Sequence, residues 1–315
     1  MRTLRYLVPL FLAVVALGIL AVVALGSFLA TGSQSEASVQ ALAGDTHFHG
    51  IAVDPTDPSR LYLATHHGLY VVAPDSTAKR LSPVQDFMGF TPHPTDLSTL
   101  YASGHPADGG NLGFIVSEDG GGSWSQLAEG VGGPVDFHQM DVSPADAKTI
   151  YGAYSGGLQV SRDGGGSWEM VGTAPEDLID LAASAQNADR LYAATQNGLL
   201  KSEDGGKSWQ DAYWLRQPAT MVHVTPDGAV YAYLVGTGLV ETLEPKLTWK
   251  TISNPSGRDY VLHFAVDPTS HNKLYAITFN PQSKAQAVLT SDDAGETWAP
   301  MGADVAASHR PHEGE

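Results

Sequence analysis

The chain contains no cysteine. Disulfides, a thiolate metal centre and a cysteine nucleophile are therefore excluded. Positive charge is also scarce, with 17 Lys and Arg against 34 Asp and Glu and a net charge of −17. A domain this acidic has no electrostatic means of holding nucleic acid or anionic lipid. Amphipathic helices are missing as well. After residue 31 no segment carries a convincing 3.6-residue apolar period, and the nearest, Ala183 to Asp189, aligns with a loop between strands.

One long run lacks charge altogether, from Leu7 to Ala30. It is long enough to cross a bilayer. Arg2 and Arg5 precede it, and the next basic residue is Arg60. That asymmetry predicts a cytoplasmic N-terminus with the rest of the chain outside the membrane. Residues 1–6 then form a cytoplasmic n-region, 7–30 an anchor or uncleaved signal, and 31–43 a linker. Ala41-Leu42-Ala43 has the form of a signal cleavage site, so secretion after cleavage is the alternative. Its distance from the apolar run favours a single-pass membrane protein. Residues 303–315 are expected to be a disordered tail.

Glycine and proline are abundant, at 34 and 19 residues, as a chain of many turns requires. The octapeptide Ser161-Arg162-Asp163-Gly164-Gly165-Gly166-Ser167-Trp168 organises the remainder. It recurs from Ser117 to Trp124, from Ser202 to Trp209 and from Ser291 to Trp298, carrying Asp119, Asp204 and Asp293 at the same place. Its chemistry is that of a turn. Aspartate accepts from loop amides, glycines supply left-handed backbone, and tryptophan covers the loop. This turn accounts for the aspartates without calcium. Glu241 to Trp249 is a worn copy that keeps only the tryptophan, and Ala73-Pro74-Asp75-Ser76 stands where a first copy would fall. An apolar residue followed by Tyr marks each unit: Tyr62, Tyr101, Tyr151, Tyr192, Tyr231 and Tyr275. Six units of about forty residues is the period of a four-stranded propeller blade.

The Ser-x-Asp-x-Gly-x-x-Trp pattern resembles the Asp-box (BNR) repeat of sialidase-like and sortilin-like β-propellers. The His-Phe-His-Gly opening at His47 and the Thr-His-His-Gly-Leu element at Thr65 resemble an exported bacterial propeller family often labelled glycosyl hydrolase. The resemblance implies an all-β, six-bladed β-propeller over residues 44–302, with seven blades as the alternative. It does not establish a reaction.

Aligning the units on Pro55, Pro94 and Pro144 makes His49, Met88 and His138 equivalent on the first strand of each unit. Two residues earlier, on the same strand face, stand His47, Asp86 and Asp136. The Tyr-marked strand runs antiparallel, and four residues after Tyr62 and Tyr101 come His66 and His105. These residues are predicted to surround one pocket at the channel mouth, on the face opposite the octapeptide turns. His47, His49, His66, His105 and His138 with Met88 are the candidate ligands of copper or zinc, the thioether tilting the choice to copper. Asp136 or Asp86 would orient a ligand histidine, and His67 is the alternative to His66 if the register slips by one. A hydrated mouth of His and Asp bonded to each other is the competing reading.

Three functions compete. A sialidase of this fold would need an arginine triad, and only Arg216 and Arg258 are expected to reach the histidine face. A different glycoside hydrolase would use paired carboxylates such as Asp86 and Asp136. A binding module is favoured, its partner a protein, glycan or metal ligand. The photosystem II assembly propellers are similar in their repeats, but this chain lacks a basic arginine patch.

Overall fold

The computed structural model describes residues 36–255, 257 and 259–303. The predicted anchor, the tail beyond Ala303 and Arg258 lie outside them. Among the described residues no helix is long and apolar enough to cross a membrane.

Six antiparallel sheets are arranged as a β-propeller, each built from one continuous stretch of chain. The innermost strands are Phe48–Val53, Gln85–Pro92, Gln139–Val142, Leu178–Ala183, Ala219–Val224 and Tyr260–Asp267. Each is followed outward by its Tyr-marked strand, a third strand and a short fourth. The described strands form no seventh sheet, so the six-bladed reading holds there. The apolar core lies in the seams between blades. Tyr62, Ala64 and Leu69 of the first blade, for example, pack on Phe87, Leu100 and Ala102 of the second.

The fold begins earlier than residue 44. Ala37–Ser38 pairs with Thr77 and Ala78 as a fifth strand of the first blade. Val39–Asp45 is a helix whose N-cap, Ser38, accepts a bond from Ala41 N. Val39 and Leu42, one helical turn apart, are buried against blade residues that include Val288 and Met301. The stretch read as linker thus contains part of the packed fold. Seven residues with two apolar positions give too short a period to be seen in sequence. The last blade meets the first through this core and through Gln286, whose Oε1 accepts from Phe48 N at 2.7 Å.

The four octapeptides form superposable turns. In the third blade Ser161 Oγ donates to Asp163 Oδ1, and Gly165 N donates to Ser161 Oγ. Ser167 N and Oγ donate to the two Asp163 oxygens, and Trp168 Nε1 donates to Gly165 O. Asp119, Asp163, Asp204 and Asp293 are each held down to about 2, chiefly by the hydroxyl of the Ser or Thr four residues on. The worn copy finds other partners. Glu244 is buried and accepts from Tyr192 Oη of the preceding blade, and Trp249 Nε1 donates to Ala212 O. Each turn also bonds to the proline-side bend of its own blade, as in Gly164 N to Lys148 O. Turns and bends therefore share one face, and the opposite face carries His49, His66, His105 and His138.

Candidate metal centre

The inner strands place side chains in layers around a channel. Its cavity of about 610 Å³ runs from His49, Met88 and His138 at one end to Pro55, Pro94, Pro144, Pro226 and Pro268 at the other. The strand register confirms that His49, Met88 and His138 are equivalent, each three residues before the partner of its blade's Tyr. In the first, fourth, fifth and sixth blades this position is a β-bulge. A bulge re-aims a side chain, here towards the mouth.

Six of the predicted residues form two groups of three at the mouth of this channel, whose wall His49, Met88 and His138 share. In the first, His66 Nδ1 lies 2.7 Å from Asp86 Oδ2, and His49 Nε2 lies 3.8 Å from Asp86 Oδ1. The His49 and His66 rings meet edge-on at 4.2 Å. In the second, Asp136 Oδ2 faces His105 Nε2 at 2.8 Å and His138 Nε2 at 2.6 Å. Within each group the three candidate ligand atoms lie within 4.8 Å of one another. His49 Nε2, Asp86 Oδ1 and Asp136 Oδ1 are buried and have no hydrogen-bond partner.

Charge follows from these surroundings. Burial pushes His49 down to about 3, helped by repulsion from His66 and other imidazoles. It is neutral at physiological pH and presents a lone pair. The hydrogen bond to Asp136 raises His138 above its ordinary value against the effect of burial.

Asp86, read from sequence as an orienting residue, stands at the centre of the first group. His66, not His67, faces it, because the His67 amide is turned back to Thr65 Oγ1. His47 is exposed and only edges the His66 ring at 5.8 Å. Met88 is buried and lines the channel wall beside His49 and His138. His93 serves its bend, where Nδ1 accepts from Asp96 N.

Sequence reasoning missed two channel carboxylates. Asp141 accepts from Val142 N and from Ala183 N of the next blade, and Asp180 accepts from Leu181 N and from Val222 N of the next. Burial raises them to about 6 and about 7. An aspartate inside an otherwise apolar inner strand was the available signal. Further round the lumen, burial lowers His223 and His263 to about 4.

Among the described residues the arginines do not form a triad. Arg60 pairs with Asp54, Arg162 with Asp189, and Arg190 with Glu203 and Glu244, all on the turn face. Arg216 pairs with Asp211.

No protein-family model matches the sequence, and a search of curated proteins found no match. Among solved structures the fold is similar to a GH74 xyloglucanase from Xanthomonas campestris, at 20% identity and a TM-score of 0.56, covering 84% of this chain and 46% of that one. It is similar to a GH74 enzyme from Niastella koreensis at 17% identity and a TM-score of 0.58, with 81% and 45% covered. A nidogen/laminin complex matches at 12% identity and a TM-score of 0.56, with 77% and 91% covered. The chain spans less than half the length of the two GH74 chains, and at these identities the likeness shows the propeller fold alone.

Proposed function

We propose that the protein is a membrane-anchored, extracytoplasmic propeller of the Asp-box type that acts as a binding module and takes a transition metal on its histidine face. One observation carries this reading. Three buried ligand-type atoms, His49 Nε2, Asp86 Oδ1 and Asp136 Oδ1, lack a hydrogen-bond partner and all lie at the channel mouth. Leaving buried polar atoms unsatisfied costs about 1–3 kcal/mol each unless something fills the site. Two imidazoles and a carboxylate suit zinc or copper(II). The anchor reading rests on Arg2 and Arg5 against the uncharged run that follows.

The glycosidase alternative keeps Asp86 and Asp136 as its candidate carboxylates, each facing imidazoles at close range. The reading is tested by metal analysis of the purified protein after dialysis against zinc or copper. Stoichiometric binding is expected in the native chain. It should disappear in His49→Ala/His138→Ala while the thermal unfolding of the metal-free protein stays nearly unchanged. Absence of binding in the native chain, or full binding in the double variant, overturns it.

A further inference from the structure

The two histidine–aspartate groups repeat one arrangement on successive seams. At the first seam the carboxylate, Asp86, opens the second blade's inner strand, and His66 follows the end of the first blade's Tyr-marked strand. At the next seam Asp136 and His105 take the same places in the third and second blades. The places are equivalent by register, since Asp86 pairs with His105 across the second blade and His66 N donates to His47 O across the first. The other four seams carry Ser155 with Asp177, Gln196 with Pro218, Val235 with Tyr260, and Phe279 with His47. None of these is an imidazole–carboxylate pair.

The second seam shows why an ion belongs there. His105 Nδ1 lies 2.7 Å from Gly110 O. A carbonyl only accepts, so Nδ1 carries a proton and Nε2 is the atom turned to Asp136 Oδ2. His138 Nε2 converges on the same oxygen. Two imidazole nitrogens and a carboxylate oxygen within ligand distance of one another form a donor set that a divalent cation can share. A histidine that gives its other N–H to a backbone carbonyl has the orientation of a metal ligand. Asp136 is 5% exposed, and its Oδ1 is unpartnered. At the first seam, the gap between His49 Nε2 and Asp86 Oδ1 would put an ion about 2 Å from each.

We infer that the face binds two divalent ions, one in each seam, with three protein ligands apiece: His49, His66 and Asp86 for one, His105, His138 and Asp136 for the other. This rests on the metal reading above. Three ligands leave a position open on each ion for water or an exogenous anion. Side-chain exposure is 18%, 44% and 15% for His49, His66 and Asp86, and 41%, 51% and 5% for His105, His138 and Asp136, so each site has ligands open to solvent.

The test is titration of the full-length protein, purified in detergent and freed of metal, with Co²⁺ followed by its visible absorption and with Zn²⁺ by elemental analysis. Two equivalents are expected in the native chain, one in His66→Ala, one in His105→Ala and none in the double variant. Circular dichroism of each metal-free variant checks that it is folded. Asp86→Asn and Asp136→Asn, which keep shape, replace any alanine variant that is not. One equivalent in the native chain, lost in either single variant, overturns the two-ion inference and leaves the metal reading standing. Two equivalents unaffected by either substitution place the ions elsewhere, and no equivalents at all removes the metal reading itself.

Discussion

Replacing Gly165 with alanine isolates what holds one blade to its neighbour. Gly165 has φ +94°, outside the range L-residues adopt at low cost. A Cβ placed there would overlap the Phe114 ring. Phe114 cannot swing aside, because it is fully buried between Tyr101 at 5.1 Å and Trp168 at 5.2 Å. The backbone strain costs about 1–3 kcal/mol, and overpacking a rigid core about 1–3 more. Stiffening the unfolded chain returns less than about 1 kcal/mol. The net expectation is a loss of about 2–4 kcal/mol, a large part of the stability of an ordinary domain. Gly166 is the control, since it has no positive φ and its added Cβ would meet Asp163 at an ordinary 3.5 Å. Urea unfolding followed by tryptophan fluorescence reads both. A midpoint for Gly165→Ala indistinguishable from that of Gly166→Ala would refute the reasoning.

Three further outcomes are expected. Asp180, raised to about 7 by burial, is protonated in both folded and unfolded chains below about pH 4. Between about pH 4 and 7 Asp180 ionises only in the unfolded chain, so its own contribution lowers stability as pH rises, by at most about 4 kcal/mol because the lumen leaves the carboxyl partly solvated. The lowered His49, His223 and His263 act in the opposite sense, so the readout is the native chain against Asp180→Asn, and a difference in melting temperature that does not change across this window would contradict it. Glu244→Ala should cost about 2–4 kcal/mol in thermal unfolding, since it strands the buried Tyr192 Oη and removes one of the two carboxylates on Arg190, leaving Glu203, and a shift under 0.5 kcal/mol counts against that role. No sialic acid should be released from a standard conjugate, because Arg60, Arg162 and Arg190 are tied up in ion pairs on the turn face, and measurable release would reverse the assignment.

The architecture was legible because its signals are local. The side-chain bonds of Ser161, Asp163, Ser167 and Trp168 all close within four residues, so the motif carries its own geometry. The helix at Val39–Asp45 was hidden by its brevity and is fixed by tertiary burial of Val39 and Leu42. At the site, equivalence along a strand was readable, and His49, Met88 and His138 do share one position. Which blade each side chain leans towards was not. Asp86 reaches back to His66 and Asp136 back to His105, and these contacts cross a seam whose tilt no spacing encodes. Asp141 and Asp180 escaped notice for the same reason, since each accepts from an amide of the following blade.

Each blade is a single uninterrupted stretch of chain, and the last blade meets the first with no strand exchanged between them. New termini can therefore be placed in any connection between blades without cutting a sheet. A circular permutant opened between Ala174 and Asp177, with the old ends joined, would keep both histidine seams while turning the present closure into an ordinary covalent connection. The ring has six interchangeable places to open, and the Gln286–Phe48 closure is the one this chain happens to use.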